Sequence, residues 1–235
     1  MERLENVNEK LKNAALFIDG EKREKFELFR ALLLEYNGRY NLTSITEDRE
    51  IYYKHFLDSA AGAFLFTENA VCAEVGSGAG FPSLPLKILR EDLSFTLMES
   101  VGKKCDFLRV VVDKLGLTKM NIIQIRAEDA ARDPNYRERF DFVVARAVAR
   151  MNTLSEYCLP LVKVGGKFVA YKSGDTTEIE EAEKACKLLG GKGVGVYDYI
   201  LPEGIGERTL AVVEKGTKTP IKYPRGNGKE RKDPL

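Results

Sequence analysis

Apolar positions along the chain follow two spacings, helical in the first part and strand-like afterwards. They recur at helical intervals from Leu4 to Ala15 and again from Phe26 to Tyr36, with Asp19-Gly20 between the two segments. Apolar residues three and four positions apart share one face of a helix, so this pattern predicts two amphipathic helices. A third helix is predicted over 51–59, after a polar connection.

From residue 71 onward, short apolar runs alternate with helical patterns. Runs that are almost entirely apolar are typical of strands buried on both faces of a parallel sheet. The last two predicted strands follow each other without a helix, which indicates one antiparallel strand near an edge. The expected fold is therefore α/β and Rossmann-like, with a mostly parallel seven-stranded sheet and helices on both faces. The predicted strands are 71–75, 95–98, 120–125, 140–148, 166–172, 194–201 and 209–214.

Length and composition fit one α/β domain with appendages. The chain has 235 residues, of which 44% are hydrophobic and 31% charged, values typical of globular proteins. We expect an N-terminal helical extension over 1–66, the main α/β domain over 67–216 and a basic tail over 217–235. No run approaches the roughly 18 apolar residues of a membrane helix, and no apolar leader is apparent at the start. The expectation is a cytoplasmic protein without membrane contact, most simply a monomer.

The cysteines argue against a metal site. The chain has four cysteines and one histidine, and no two cysteines form a CxxC pair. Structural zinc sites need closely spaced Cys or His ligands. We therefore expect no metal site, and the cysteines are expected to be buried small hydrophobic residues.

A glycine-rich turn follows the first predicted strand. Gly76, Gly78 and Gly80 alternate with small residues, and Pro82 opens the next helix. Glycine lets the backbone turn sharply and approach a ligand closely, because no Cβ intervenes. Glu99 ends the next strand roughly twenty residues on, where a βαβ unit places an acid on a ribose. A nucleoside cofactor over this turn is thus predicted, with a plain tight turn as the alternative.

The spacing of the glycines favours S-adenosylmethionine over a dinucleotide. Phe81 stands where the dinucleotide fingerprint has its third glycine. Glu74, just before the turn, would repel a pyrophosphate but tolerate an ammonium group. S-adenosylmethionine carries an amino acid and a ribose and no phosphate. An NAD-dependent oxidoreductase remains the alternative, which competitive binding of the two cofactors would separate.

Further candidates lie at the ends of later strands and on the third helix. Ala127-Glu128 and Arg146 follow two strands, and ligands bind outside the carboxyl ends of such strands. His55 and Asp58 are three residues apart and share a helix face with Ser59. One helical turn does not give the geometry of a Ser-His-Asp triad. The alternatives are structural: a hydrogen-bonded His-Asp pair, a solvated Glu128, and an Arg146 that pairs with a nearby acid.

Several motifs together resemble one known family, the ribosomal RNA small subunit methyltransferase G (glucose-inhibited division protein B) family, over nearly the full length. The resemblance implies the class I S-adenosylmethionine-dependent methyltransferase fold and N7-methylation of one guanosine in a loop of 16S ribosomal RNA. It also implies cofactor contacts at Gly76, Phe81, Ala127, Glu128 and Arg146. The motifs are Tyr40-Asn41-Leu42-Thr43, His55-x-x-Asp58-Ser59, Glu74 to Leu86, Lys103-Lys104 with Phe107-Leu108, Arg126-Ala127-Glu128, Arg146 to Ala149 and Lys222-Tyr223-Pro224-Arg225.

With this chemistry, no residue has to act as a general base, because guanine N7 already has a free lone pair. Our hypothesis is that His55, Asp58 and Arg146 border a guanine pocket that Asn41 helps to shape. The partner is 16S ribosomal RNA or the small ribosomal subunit, contacted through basic residues of the tail. A ribosome-associated RNA-binding protein without catalysis is the other alternative. The RNA-contact candidates in the tail are Lys222, Arg225, Lys229, Arg231 and Lys232.

Overall fold

The computed structural model describes residues 2–3 and 20–235, and one sheet runs through them. Seven of its strands overlap runs that the sequence predicted, and the central strands Val71–Val75, Ser94–Glu99 and Phe140–Arg146 are mostly buried, as expected of strands covered on both faces. The strands are β1 (Glu2–Arg3), β2 (Val71–Val75), β3 (Ser94–Glu99), β4 (Met120–Gln124), β5 (Phe140–Arg146), β6 (Val162–Ser173), β7 (Gly191–Leu201) and β8 (Gly206–Lys215).

The strand order is β1-β7-β8-β6-β5-β2-β3-β4. Strand β8 is antiparallel to both of its neighbours, and the other pairs are parallel. The predicted mostly parallel sheet with one antiparallel strand is therefore confirmed. Its seven predicted strands are joined at the edge by β1, which pairs with Gly195 and Val196. Main-chain pairing at a sheet edge needs no apolar side chains, so the spacing of apolar residues did not predict β1.

The direction of the chain changes at strand β2. From β2 it passes to β3 and β4 on one side and then returns to β5 on the other side. In open α/β sheets, ligands bind at this switch point, in the crevice outside the carboxyl ends of the strands. The glycine turn follows β2 and Arg146 ends β5, so the fold brings these two candidates to the same crevice.

Helices cover both faces of the sheet. Those from the first half of the chain lie on one face and those from the second half lie mainly on the other. The segment from 48 to 60 is one continuous helical stretch whose middle part is a π-helix. The helices are Gly20–Tyr40, Asp48–Glu50, Ile51–Leu57 (π), Asp58–Ala60, Ser83–Leu89, Gly102–Lys114, Ala127–Ala130, Met151–Cys158, Thr177–Glu181, Glu183–Leu188 and Lys229–Lys232, with 3-10 turns at Ala63–Leu65 and Leu159–Leu161.

The described part of the N-terminal extension packs on the core. Phe29 and Leu33 of the helix Gly20–Tyr40 are fully buried in the cluster that contains Phe107. The Phe29 ring stacks on Phe81, with centroids 5.1 Å apart. Burial of side chains this large contributes roughly 1.5–3 kcal/mol each. The extension therefore completes one face of the domain rather than forming a core of its own.

Two predictions differ from the structure and one lies outside it. The helix predicted over 176–189 is two short helices that meet at Ala182, whose φ and ψ of −83° and −5° end the first. The strand predicted over 166–172 is longer, because the chain from Val162 onward also pairs. The first predicted helix, from Leu4 to Ala15, lies outside the described residues. Within the described ranges, no helix is long and apolar enough to cross a membrane.

Candidate active site

The glycine turn has the backbone that only glycine adopts without strain. Gly76, Gly78 and Gly80 have φ values of +68°, +55° and +89°. L-residues with a Cβ pay about 1–2 kcal/mol in this region. A Cβ on Gly76 would also lie 2.7 Å from a methyl group of Val148, which follows β5. The turn therefore needs glycine both for its conformation and for its close contact with the neighbouring strand end.

Glu99 holds the turn in place. Its Oε2 accepts a hydrogen bond from the Gly78 N–H at 2.8 Å, and its Oε1 accepts one from the Val101 N–H at 2.8 Å. The side chain is buried at the end of β3. The carboxylate thus joins the ends of β2 and β3, which is where the sequence placed it. Its contact with a ribose stays a prediction.

A cavity of about 420 Å³ opens beside this turn, within the usual size range of ligand sites. It brings together three of the predicted cofactor residues, Gly76, Ala127 and Glu128. Arg146 and Phe81 lie outside its lining, in the neighbouring cluster described below. We call it the cofactor cavity; it is lined by Val75, Gly76, Met98, Ser100, Ile125, Arg126, Ala127, Glu128, Val148, Tyr157, Gly228 and Arg231.

Glu74 supplies a test of which cofactor fits. Its side chain is fully buried one residue before the end of β2, and burial raises its pKa to about 8. The Ser83 hydroxyl donates to Oε2, whereas Oε1 has no partner among the described residues. A buried carboxyl oxygen without a donor is costly. A cofactor with an ammonium group would supply that donor and favour the ionised carboxylate, whereas a pyrophosphate offers only acceptor oxygens, so these residues fit S-adenosylmethionine.

A second group of side chains centres on Arg146 at the end of β5. Its Nη1 donates to Asp58 Oδ2 at 2.9 Å and to the Lys54 carbonyl at 2.9 Å. Its Nη2 lies 3.0 Å from His55 Nδ1. The Tyr199 hydroxyl donates to the other Asp58 oxygen at 2.6 Å. The structure therefore joins three predicted residues, and we call Arg146, Asp58, His55 and Tyr199 the arginine cluster.

Phe81 connects the arginine cluster to the glycine turn. The His55 ring stacks on Phe81 with centroids 4.3 Å apart and an angle of 15°. The Arg146 guanidinium carbon lies 5.0 Å from the centroid of the same Phe81 ring. Cations and flat groups are attracted to aromatic faces. Phe81 therefore acts as a platform for the cluster, and its predicted cofactor contact stays a prediction.

The hydrogen bonds of His55 fix its tautomer. A guanidinium only donates, so Nδ1 accepts from Arg146, and the neutral ring carries its proton on Nε2. Thr43 Oγ1 lies 2.9 Å from Nε2 and accepts that proton's hydrogen bond. Burial and the nearby Arg146 charge lower the pKa of His55 to about 3. His55 is therefore a neutral, fully hydrogen-bonded ring, with neither nitrogen free to exchange a proton with a substrate.

We expect His55 to make stability fall in mild acid. The unfolded histidine has a pKa of about 6.5, so below that pH the unfolded chain binds a proton that the folded chain does not. Stability then rises with pH from about 3 to 6.5, and the loss on going from pH 6.5 to pH 5 is about 2 kcal/mol. Denaturant unfolding at pH 6.5 and pH 5 measures this loss of unfolding free energy. His55→Gln is the control, because it should lack this dependence of stability on pH.

The same expectation can be checked at the ring itself. The chain has a single histidine, so one pair of imidazole signals in an NMR titration reports on His55 alone. The signals should not move between pH 8 and pH 5. A midpoint near 6.5 would contradict the buried, neutral ring.

A cavity of about 460 Å³ opens on the other side of Arg146. Lys172 and Arg208 also line it, next to His55 and Asp58. Ala147 lines this cavity and Val148 lines the cofactor cavity, so the segment after β5 separates the two. A cofactor and a substrate in adjacent cavities can meet at this segment, and we call the second one the substrate cavity.

A larger, mainly apolar groove of about 610 Å³ lies elsewhere, between the helices Gly20–Tyr40 and Ile51–Leu57. Neither the glycine turn nor any of the polar residues of the arginine cluster contributes to its lining. We therefore place the chemistry in the two smaller cavities, where the strand ends meet.

Sequence reasoning missed some residues of the site and placed others only roughly. Asn41 is exposed and has a positive φ of 52°, so its backbone turns the chain, whereas the cluster contact comes from Thr43. Asn37 holds that loop, because Oδ1 accepts from the Thr43 N–H at 2.9 Å. Thr43 was part of a quoted motif. Tyr199 lies in the interior of β7, and nothing in its surroundings in the sequence marks it as a partner of Asp58.

The basic tail is folded against the domain. The Arg225 guanidinium and main-chain N–H bind Glu156, which is fully buried, with Nη2 to Oε2 at 2.9 Å. Arg225 thus anchors the tail, and its contact with RNA stays a prediction. Lys222, Lys229, Arg231 and Lys232 are exposed. Lys215, which precedes the tail, is fully buried and binds main-chain carbonyls.

Comparison with known proteins agrees with this geometry. Residues 22–199 match the family model GidB, described as rRNA small subunit methyltransferase G. Proteins of that name from Lactobacillus acidophilus and Brevibacillus brevis are each 46% identical, over 93% and 98% of both chains. The one from Staphylococcus aureus is 44% identical over 99% of this chain and 98% of its own.

Solved structures show the same fold at low sequence identity. A SAM-dependent O-methyltransferase from Thermotoga maritima matches with a TM-score of 0.56 and 14% identity, covering 80% of this chain and 73% of that one. TYW2 from M. jannaschii in complex with AdoMet matches with a TM-score of 0.53 and 16% identity, covering 66% and 72%. The chain therefore has the class I methyltransferase fold and belongs to the rRNA small subunit methyltransferase G family, with S-adenosylmethionine as its cofactor.

Proposed function

We propose that this protein transfers a methyl group from S-adenosylmethionine to N7 of one guanosine in a loop of 16S ribosomal RNA. When bound, the cofactor supplies an electrophilic methyl group on a sulfonium. The N7 lone pair forms the new N–C bond as the S–C bond breaks, which leaves a neutral thioether and a cationic 7-methylguanine. No proton is released, so the reaction needs positioning rather than a base.

The observation that carries this proposal is the absence of a free base in the arginine cluster. Both His55 nitrogens are engaged, by Arg146 and Thr43, and both Asp58 oxygens are engaged, by Arg146 and Tyr199. A general base needs a free acceptor within hydrogen-bond reach of the proton it takes. The arginine cluster therefore suits N7, an acceptor that carries no proton at neutral pH, better than the guanine N1 or N2 positions.

The cysteines argue against methylation of pyrimidine C5, which needs a thiolate nucleophile. Cys72, Cys105, Cys158 and Cys186 are all buried, and burial raises the pKa of each thiol. Buried thiols of raised pKa are inert. The chain therefore favours a nitrogen acceptor over a carbon acceptor.

In this proposal the guanine enters the substrate cavity beside the arginine cluster. His55, Asp58 and Arg146 border it there, and the Asn41 turn positions Thr43 behind His55. The rigid contacts of Arg146 hold these groups before substrate arrives, which lowers the cost of orienting the base. A base that is stacked in a loop must be turned outward to enter such a cavity, as other base-modifying enzymes require.

The exposed cations of the tail supply the proposed RNA surface, namely Lys222, Lys229, Arg231 and Lys232. Contacts with phosphates release counterions, so binding through them weakens as salt rises. Lys229 and Lys232 belong to the short helix Lys229–Lys232 at the mouth of the cofactor cavity. RNA held on this surface lies next to the cofactor cavity, whose lining includes Arg231.

The test is methyl transfer from labelled S-adenosylmethionine to ribosomal RNA from cells that lack this protein, followed by nuclease digestion and nucleoside mass analysis. We expect one new 7-methylguanosine in the small-subunit RNA, with naked RNA or with small-subunit particles. Label at another atom, or none in either substrate although the cofactor binds, would contradict the proposal.

A further inference from the structure

The C-terminal tail is anchored at two points beside the cofactor cavity. The first is the buried ion pair of Arg225 with Glu156. The second is Glu230, which is fully buried and accepts from the Gly226 N–H, while its own carbonyl accepts from Thr153 Oγ1 at 2.7 Å. Buried, paired charges are costly to separate, so the segment between these anchors has a defined position.

Two arginines of the domain reinforce this position. Arg132 Nη2 donates to the Pro224 carbonyl at 2.9 Å, and Arg137 Nη1 donates to the Tyr223 carbonyl at 2.9 Å. Each bond joins positions about ninety residues apart in sequence. The tail is therefore part of the folded domain up to the helix Lys229–Lys232.

Gly228 and Arg231 of this anchored segment line the cofactor cavity. They share this lining with residues that follow β3 and β4, including Ser100 and Ala127. Arg231 and Tyr157 both line the cavity, and the Tyr157 side chain is buried. The cavity lining thus includes a planar cation and an aromatic ring that come from distant parts of the chain.

We propose that Arg231, held by the anchored tail, closes the cofactor cavity and contacts the adenosyl half of S-adenosylmethionine. This inference rests on the assignment of the cofactor cavity. The adenosyl half is indicated because Arg231 shares the cavity lining with residues that follow β3 and β4, and the acid Glu99 ends β3. A guanidinium is weakly hydrated and stacks on flat aromatic groups, and adenine is such a group. Arg231 is therefore a binding residue for the cofactor as well as a candidate RNA contact.

The matched comparison is Arg231→Ala against Lys232→Ala. The two residues are adjacent, both are exposed cations of the same short helix, and both changes remove one charge. Of the two, Arg231 alone lines the cavity. Titration calorimetry with S-adenosylmethionine and with its demethylated product, in the absence of RNA, measures cofactor binding separately from methyl transfer.

We expect Arg231→Ala to raise the cofactor Kd by about three- to thirtyfold, the range of a desolvated cation–aromatic contact. Lys232→Ala should leave the cofactor Kd within about twofold. In the wild type, bound cofactor should also slow amide hydrogen exchange of residues 226–232, and this protection should be lost in Arg231→Ala. Exchange without cofactor should be the same in both proteins, because Arg225 and Glu230 still anchor the tail.

Equal Kd values for wild type and Arg231→Ala would overturn the inference. Equal losses of cofactor affinity in Arg231→Ala and Lys232→Ala would also overturn it, because they would show that only the loss of one positive charge matters. Failure of the wild type to bind the cofactor would overturn the cavity assignment and this inference together. A methylated product other than 7-methylguanosine would overturn the proposed reaction and leave the Arg231 contact standing, so the failures are distinguishable.

Discussion

Replacing Gly76 by alanine is expected to raise the Kd for S-adenosylmethionine at least tenfold. Gly76 has a φ of +68°, and a Cβ there would lie 2.7 Å from a Val148 methyl group. Both residues line the cofactor cavity. The turn or Val148 must move, and tenfold corresponds to only about 1.4 kcal/mol. Calorimetric titration with the cofactor is the measurement.

Gly116→Ala is the control for backbone strain. Gly116 has a φ of +62°, and a Cβ there would meet nothing within 4 Å. It follows the helix Gly102–Lys114 and does not line the cofactor cavity. Both variants should lose about 1–2 kcal/mol of stability from the left-handed backbone, and only Gly76→Ala should lose cofactor affinity. Unchanged affinity in Gly76→Ala would count against the cofactor cavity.

Replacing Arg146 by methionine is expected to lower the free energy of unfolding by about 3 kcal/mol and to abolish most methyl transfer. The change leaves Asp58, which is 4% exposed, without its principal cation. Breaking a buried ion pair by removing one partner typically costs about 3–5 kcal/mol. The lower value applies because the Tyr199 hydroxyl still donates to Asp58. In a domain of this size the melting temperature should fall by roughly 6–12 °C.

Arg109→Met is the matched control. Arg109 Nη1 lies 2.8 Å from Asp106 Oδ1, nearly the separation of the Arg146 pair, but both of these side chains are more than half exposed. Exposed ion pairs contribute at most about 1 kcal/mol to the free energy of unfolding. A loss in Arg146→Met no larger than that in Arg109→Met would show that the arginine cluster is not a rigid support of the site.

The strands at the centre of the sheet could be predicted because their signal is local. A strand buried on both faces must be apolar almost throughout, as Val71–Val75 and Phe140–Arg146 are. The same holds for the glycine turn, since a positive φ restricts the residue type at each position. Glu99 could be placed because the length of a βαβ unit fixes its distance from the turn.

Elements that depend on main-chain pairing or on the neighbours of a helix could not be predicted in this way. The charged pair Glu2–Arg3 forms a strand because β7 offers an edge. The predicted helix over 176–189 breaks at Ala182, although alanine is a strong helix former. Main-chain pairing overrides the local preference in the first case, and in the second the break falls at a fully buried residue.

By itself the sequence determined the order of strands and helices, the cofactor turn and the chemical nature of the residues at the strand ends. Only the tertiary structure decided which of them meet. Asp58 binds partners 88 and 141 positions away, Arg146 and Tyr199, and no periodicity relates such positions. Likewise, the tail is a run of basic residues in the sequence, and its place in the lining of the cofactor cavity depends on the buried Glu156, which pairs with Arg225. Local preferences act over a few residues, whereas burial and charge pairing join residues through space.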